Sequence, residues 1–315
     1  MSIKLISKHR SELMAIALIW VAFYHSYFPI GSKMIAFTVA RCGYGGVSLF
    51  LFLSGFSMYY SYKKDNNYLS FIKKRFKRII PFCIPLIYLY MLIRKDAFVD
   101  ACLNAFGINW LRGYNKVNWY TILILILYLV TPIYLKYFKN REVRLTCISL
   151  LFILFVSYIV KNENWVYGIA NVCLYILGIY FAYLNENDVK VNNILAIFCF
   201  LIGWIMMFLM YHYYRNDIQH VYPMILIAPS MLLILSFLME KVRMVQKSLK
   251  YIGQFSYQFY LLHELVLTVL YNNYALLYRP NIQFDRLINV AGLVITLMLS
   301  IIYKNIIDSL INKRS

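Results

Sequence analysis

Acidic residues are scarce in this chain. Its 315 residues include 13 Asp and Glu against 32 Lys and Arg, and charge of either sign accounts for 14% of the total. With 62% hydrophobic residues and a mean hydropathy of +0.63, so little charge excludes a soluble globular domain, where about a quarter of residues are charged. Cysteine is sparse too: Cys42, Cys83, Cys102, Cys147, Cys173 and Cys199 stand singly, without a CxxC pair or metal-ligand spacing. That argues against a disulfide framework and against a bound metal, and leaves them as small packing residues. The glycine and lysine spacing of a phosphate loop is missing. No repeat of about 20 to 50 residues recurs. Long hydrophilic stretches are missing as well. The longest interval between apolar runs, residues 95–118, has 24 residues, so residues 1–315 read as one integral membrane domain with no appended soluble domain.

What remains is apolar runs. A helix crossing the hydrocarbon core needs about 20 mostly apolar residues, because every backbone polar group must be satisfied within the segment. Ten stretches qualify: 11–30, 46–62, 79–94, 119–136, 145–160, 166–184, 192–213, 220–239, 255–274 and 288–308. The expected fold is all-α, a polytopic bundle of ten transmembrane helices. An even count puts both termini on one side, and that side holds 22 of the 32 Lys and Arg. By the positive-inside bias both termini are cytoplasmic, and the +19 net charge needs no nucleic acid partner.

An ionisable group inside a span is costly, so the few that occur are informative. His25 lies in MAIALIWVAFYHSYF, residues 14–28. At about 100° per residue it shares a face with Ser11, Met14, Ala15, Leu18 and Ala22, while Ile16, Trp20, Phe23 and Tyr27 project to the other side. Small residues permit close helix approach, which aims His25 into the bundle. A structural histidine bonded across to a neighbouring helix is the alternative to a catalytic one. His263 and Glu264, in YLLHELVL, point about 100° apart and cannot face one partner. Glu264 reads as the carboxylate well inside a span, either a structural partner or a catalytic accessory. His212 and His220 flank an outer loop and read as interfacial.

Residues 62–81, YKKDNNYLSFIKKRFKRIIP, carry seven basic residues ahead of Pro81. A basic loop at the cytoplasmic surface is what topology alone requires. Helical spacing adds that Lys74 and Arg78, and Arg75 and Arg78, share a face suited to a polyanionic phosphate ligand. In GYGGVSLFLFLSGFSMYY, Gly43, Gly45 and Gly46 open a span and Ser54 and Gly55 interrupt it, a pattern that permits close helix packing.

In this order along the chain, these pieces resemble the acyltransferase-3 family of integral membrane O-acyltransferases. MAIALIWVAFYHS is similar to the family segment ending in a functional histidine, and GGVSLFLFLSGF to its glycine-rich second span. RFKRIIP matches the basic pair before the third span, and SYQFYLLHE the late signature. Trp119, Tyr128 and Pro132 in WYTILILILYLVTP follow the family spacing. Two positions depart: Met14 stands where the family carries an Arg eleven residues before the histidine, and Ile124 where a Glu is frequent. Arg10 lies one turn before Met14, on roughly the same face.

The resemblance implies transfer of an acyl group, commonly acetyl, from cytoplasmic acetyl-CoA or another acyl-CoA to a hydroxyl of a surface polysaccharide or its lipid-linked precursor. Arg75, Arg78 and Lys74 would hold the coenzyme A phosphates, with Lys73 and Lys77 nearby. His25 would be the general base, since imidazole suits proton transfer near neutral pH, with Glu264 as accessory; an acyl-histidine intermediate is the other route. Trp119 and Arg112, with Trp110 and Tyr114, could meet the acceptor glycan, or anchor the protein at the interface. The expected location is the cell membrane. A glycan transporter or flippase is the rival from another class, and a glycan polymerase or ligase a second one, but the first should show internal symmetry and the second large outer loops.

Overall fold

The computed structural model describes residues 1–25, 39, 42–94, 97–112, 119–160, 163–213, 221–277 and 282–312. Its elements are α1 (Lys4–Lys8), α2 (Arg10–His25), a 3-10 turn (Cys42–Tyr44), α3 (Gly45–Lys64), α4 (Tyr68–Arg94), α5 (Phe98–Ala105), α6 (Ile108–Leu111) and α7 (Trp119–Phe138). They continue with α8 (Glu142–Ile159), α9 (Glu163–Glu186), α10 (Asn193–Tyr213), α11 (Met224–Lys241), α12 (Arg243–Gly253), α13 (Ser256–Leu277) and α14 (Ile282–Asn312). Among the described residues there is no strand, only an isolated bridge between Ser2 and Lys190.

Eight of these helices are long and apolar enough to span a membrane. The first and ninth expected spans correspond to α2 and α13. The described part of α2 has 16 residues, and α13 is diluted by Ser, Gln, His, Glu and Asn side chains. The third span starts earlier than its apolar run suggests. Asn67 caps α4 by accepting the Ser70 N–H at 2.9 Å, so the basic residues ride on the helix and not in a loop. Residues 95–118 are likewise not a plain loop, since α5 and α6 fold there and bury Trp110.

Helix α3 is the axis of the bundle. Its spanning part is 89% buried, against 11% for α8 and 17% for α10, whose Leu, Ile and Phe side chains face outward. The sequence permits this because α3 meets its neighbours through glycine. A Cβ at Gly55 would lie 2.0 Å from the Tyr175 carbonyl oxygen, and one at Gly178 would lie 2.1 Å from that of Phe52. The two backbones of α3 and α9 therefore touch along that line. Gly46 does the same against α2, with the Ala17 carbonyl oxygen 2.3 Å from a Cβ there. Trp20 corrects the helical-wheel expectation. It is buried beside Gly45, with its ring 6.1 Å from that of Trp204, while Ile19 and Phe23 take the exposed face of α2.

Several contacts gather the basic segments at one end of the bundle. The Met1 ammonium donates to the Val191 carbonyl and the Asn193 side chain, Lys63 pairs with Glu186, and Lys304 reaches the Gln254 carbonyl oxygen. Buried His9 bridges Glu12 and Glu240, fastening the start of α2 to the end of α11.

Candidate functional site

His25 closes the described part of α2 and is half-buried. Its ring lies 4.9 Å from that of His263, at 68°. His263 is buried, and its Nδ1 is 2.5 Å from the Tyr260 carbonyl oxygen one turn back on α13. A carbonyl only accepts, so that nitrogen carries the proton. The other ring nitrogen, Nε2, is buried without a hydrogen-bond partner. Glu264 points elsewhere and is exposed, as the 100° step between neighbours on a helix demands. The structure thus brings His263, not Glu264, into ring contact with His25.

Aromatic rings join these two imidazoles into a closed circuit. From His25 it runs to Tyr24 at 5.0 Å, to Tyr44 at 5.9 Å and to Tyr167 at 5.9 Å. Trp119 then meets Tyr167 at 4.9 Å and Tyr120 at 6.2 Å. Tyr120 meets Tyr260 at 5.1 Å, and Tyr260 meets His263 at 5.6 Å. Most of these contacts are edge-to-face, the arrangement aromatic quadrupoles favour. The circuit draws on α2, the 3-10 turn, α7, α9 and α13, which no pattern local in sequence could bring together. Trp119, half-buried, is therefore part of the same constellation as His25.

The opposite end of α2 is cationic. Arg10 lies within electrostatic reach of Arg75, Arg78, Tyr128 and Tyr120. Arg75 rests on the Phe71 ring at 5.0 Å and directs its Nε at Met58 Sδ, 3.1 Å away. Arg10 Nε is buried without a partner, and among the described residues none of the three guanidinium groups forms an ion pair. Three guanidinium groups within electrostatic reach of one another, with Asp65 the carboxylate felt at Arg75 and none in ion-pair contact among the described residues, are a favourable place for an anion with several oxygens. Tyr128 is fixed there by Ser54, 2.9 Å from its hydroxyl.

The remaining sequence-derived candidates scatter. Lys74 is exposed and paired with Asp65, so its ammonium is already engaged. Lys73 and Lys77 are exposed on α4. Arg112 is exposed at the end of α6. Trp110 is buried and stacked over Gly168, so it serves packing more than contact with a ligand. Tyr114, His220 and the His212 side chain lie outside the described residues. Sequence reasoning named His263 as an internal candidate without its contact to His25, and did not single out Tyr24, Tyr44, Tyr167 or Tyr260. The one local signal was the late stretch SYQFYLLHE, where Tyr260 and His263 fall at helical spacing.

A polytopic helical membrane protein with an imidazole pair at one end of a helix and, at the other, an arginine cluster without an ion pair among the described residues is the class these features define. Residues 13–304 match the family model for the acyltransferase domain of the acyltransferase-3 family. The chain belongs to that family and is a membrane acyltransferase. No curated protein and no solved structure matches it.

Proposed function

We propose that this protein transfers an acyl group, commonly acetyl, from acyl-CoA to a hydroxyl of a cell-surface polysaccharide or its lipid-linked precursor. The observation that carries the reading is the pairing of two unlike sites on one helix. Arg10 and His25 are 15 residues apart on α2, about 22 Å at 1.5 Å per residue. That span is of the order of an extended phosphopantetheine arm, so phosphates held by Arg10, Arg75 and Arg78 leave the thioester near His25.

Chemistry then follows from the imidazole. His25 takes the proton of the acceptor hydroxyl as its oxygen attacks the thioester carbonyl carbon. The tetrahedral centre collapses, the carbon–sulfur bond breaks, and the thiolate of coenzyme A leaves and recovers the proton from His25. The product is an ester on the sugar. Trp119 and Tyr167 offer aromatic surfaces on which a sugar ring can stack beside that reaction. The positive-inside bias would put the arginine end on the cytoplasmic side, where acyl-CoA is made.

The test uses washed membranes holding the full chain, acetyl-CoA labelled in its acetyl group, and the surface polysaccharide of the same cells. Base-labile label on the polysaccharide is the expected product. Its absence with correctly inserted protein, or its persistence with His25→Ala, overturns the reading.

A further inference from the structure

Two imidazoles face each other at this site, and only one is reachable. His25 is half-buried and His263 lies behind it, 2% exposed. The Nδ1 proton of His263 is committed to the Tyr260 carbonyl oxygen at 2.5 Å. Its Nε2 is therefore a bare lone pair, and that atom is buried without a hydrogen-bond partner. Buried nitrogen seldom stays unsatisfied, because leaving it so costs about 1 to 3 kcal/mol. The ring next to it across the helix interface is His25. A centroid separation of 4.9 Å matches two imidazoles joined through one N–H···N bond of about 3 Å, reached by a turn of the His25 ring.

We propose that His263 is a positioning residue for His25: its Nε2 accepts the N–H of His25 and thereby turns the other His25 nitrogen, unprotonated, toward the acceptor hydroxyl. The inference rests on His25 being the base. An isolated neutral imidazole interchanges its two tautomers, and only one of them presents a lone pair to the substrate. An acceptor behind the ring selects that tautomer, and it bonds to the imidazolium formed when the acceptor proton arrives. The order is substrate, His25, His263, Tyr260 carbonyl. The last link is backbone of α13, so the chain of hydrogen bonds ends on a fixed atom. Glu264 does not supply this function, since it projects from the exposed side of the same helix.

The experiment compares His263→Leu, His263→Gln and His263→Asn with His25→Ala in the washed-membrane assay, varying acetyl-CoA. Leucine keeps the volume without the acceptor, so kcat should fall about 100-fold while KM for acetyl-CoA stays within about two-fold. Glutamine carries an oxygen near the place of Nε2 and should recover most of that loss. Asparagine reaches only the place of Nδ1 and should not. Wild-type kcat in His263→Leu, or equal loss in His263→Gln and His263→Leu at matched membrane abundance, overturns the inference.

A second measurement reads the contact directly, first in the wild type and then in one variant. In the intact protein labelled with 15N-histidine and held in lipid nanodiscs, His263 should show a protonated Nδ1 and a hydrogen-bonded, unprotonated Nε2. His25→Phe should move that Nε2 resonance to the position of a free ring nitrogen, and an unmoved resonance overturns the contact. The two failures are separable. An active His25→Ala sinks the base reading and this inference with it; an inactive His25→Ala beside a fully active His263→Leu sinks this inference alone.

Discussion

At its first residue α2 carries Arg10, grouped with Arg75 and Arg78 and, among the described residues, with no carboxylate in ion-pair contact, whereas its last described residue is His25, set against a second imidazole and a circuit of aromatic rings. Guanidinium keeps its charge in any surroundings, so the first end is fitted to hold an anion through many turnovers. Imidazole gains and loses a proton near neutral pH, so the second end is fitted to react. One rigid helix spaces the two. Binding and chemistry should therefore respond to different substitutions, the one through KM for the donor and the other through kcat.

The largest effect should come from the reactive end. His25→Ala is expected to lower kcat by about a thousand-fold, read as base-labile acetyl on polysaccharide, with KM for acetyl-CoA nearly unchanged. A comparable rise in KM would erase the distinction between the ends. At the cationic end, Arg75→Ala combined with Arg78→Ala should raise that KM by about 30-fold and leave kcat within about three-fold. The same KM should climb with ionic strength in the wild type, and a salt-independent KM would remove the charge argument.

A smaller effect tests whether position alone matters at the His25 end. A Cβ at Gly43 would lie 2.3 Å from the Trp20 carbonyl oxygen and 2.7 Å from Tyr24 Cβ, so Gly43→Ala must displace the last turn of α2. We expect about a ten-fold drop in kcat at unchanged KM, and full activity would show that the site tolerates the shift. The smallest effect belongs to Lys74. The Lys74 ammonium, and after it the Ser70 hydroxyl, hold the Asp65 carboxyl down at about 2. A carboxyl lowered from an ordinary value of about 3.9 contributes fully above that value and loses its contribution only as pH falls toward the lowered one. The pair is thus intact from about pH 5 to pH 8 and adds no limb to an activity profile there. Asp65→Asn should change KM by less than about two-fold, the scale of an exposed ion pair, and a larger change would bring Lys74 into the phosphate site.

The helical architecture was legible because hydrocarbon leaves a chain few choices. Apolar runs placed α3, α7, α8, α9, α10 and α11 to within a few residues, while α4 was misjudged at its start because a basic amphipathic turn looks like a loop to a hydropathy reading. Of the site, His25 was legible as a titratable ring in an apolar run, and Arg75 and Arg78 as neighbours on one helical face. The pattern also pointed to Glu264, a carboxylate in a span, when the contact belongs to its neighbour. Adjacent residues diverge by about 100°, and which of them faces inward depends on how α13 rotates against α2. Trp20 was misassigned for a related reason: the glycine-lined surface of α3 makes room for a large ring on a face that would otherwise meet lipid.

By itself the sequence determined that the chain enters the membrane as a helical bundle, that its cations crowd toward one side, and that a histidine lies within its first span. Each of these follows from local composition acting through solvation, which needs no knowledge of what packs on what. Only the tertiary structure decided that Arg10 joins Arg75 and Arg78, that Trp119 belongs with His25, and that His263 stands behind it. Those pairings join residues far apart in the chain, and they are fixed by where bare glycine backbone lets α2, α3 and α9 touch and by the rotation each helix adopts as a result.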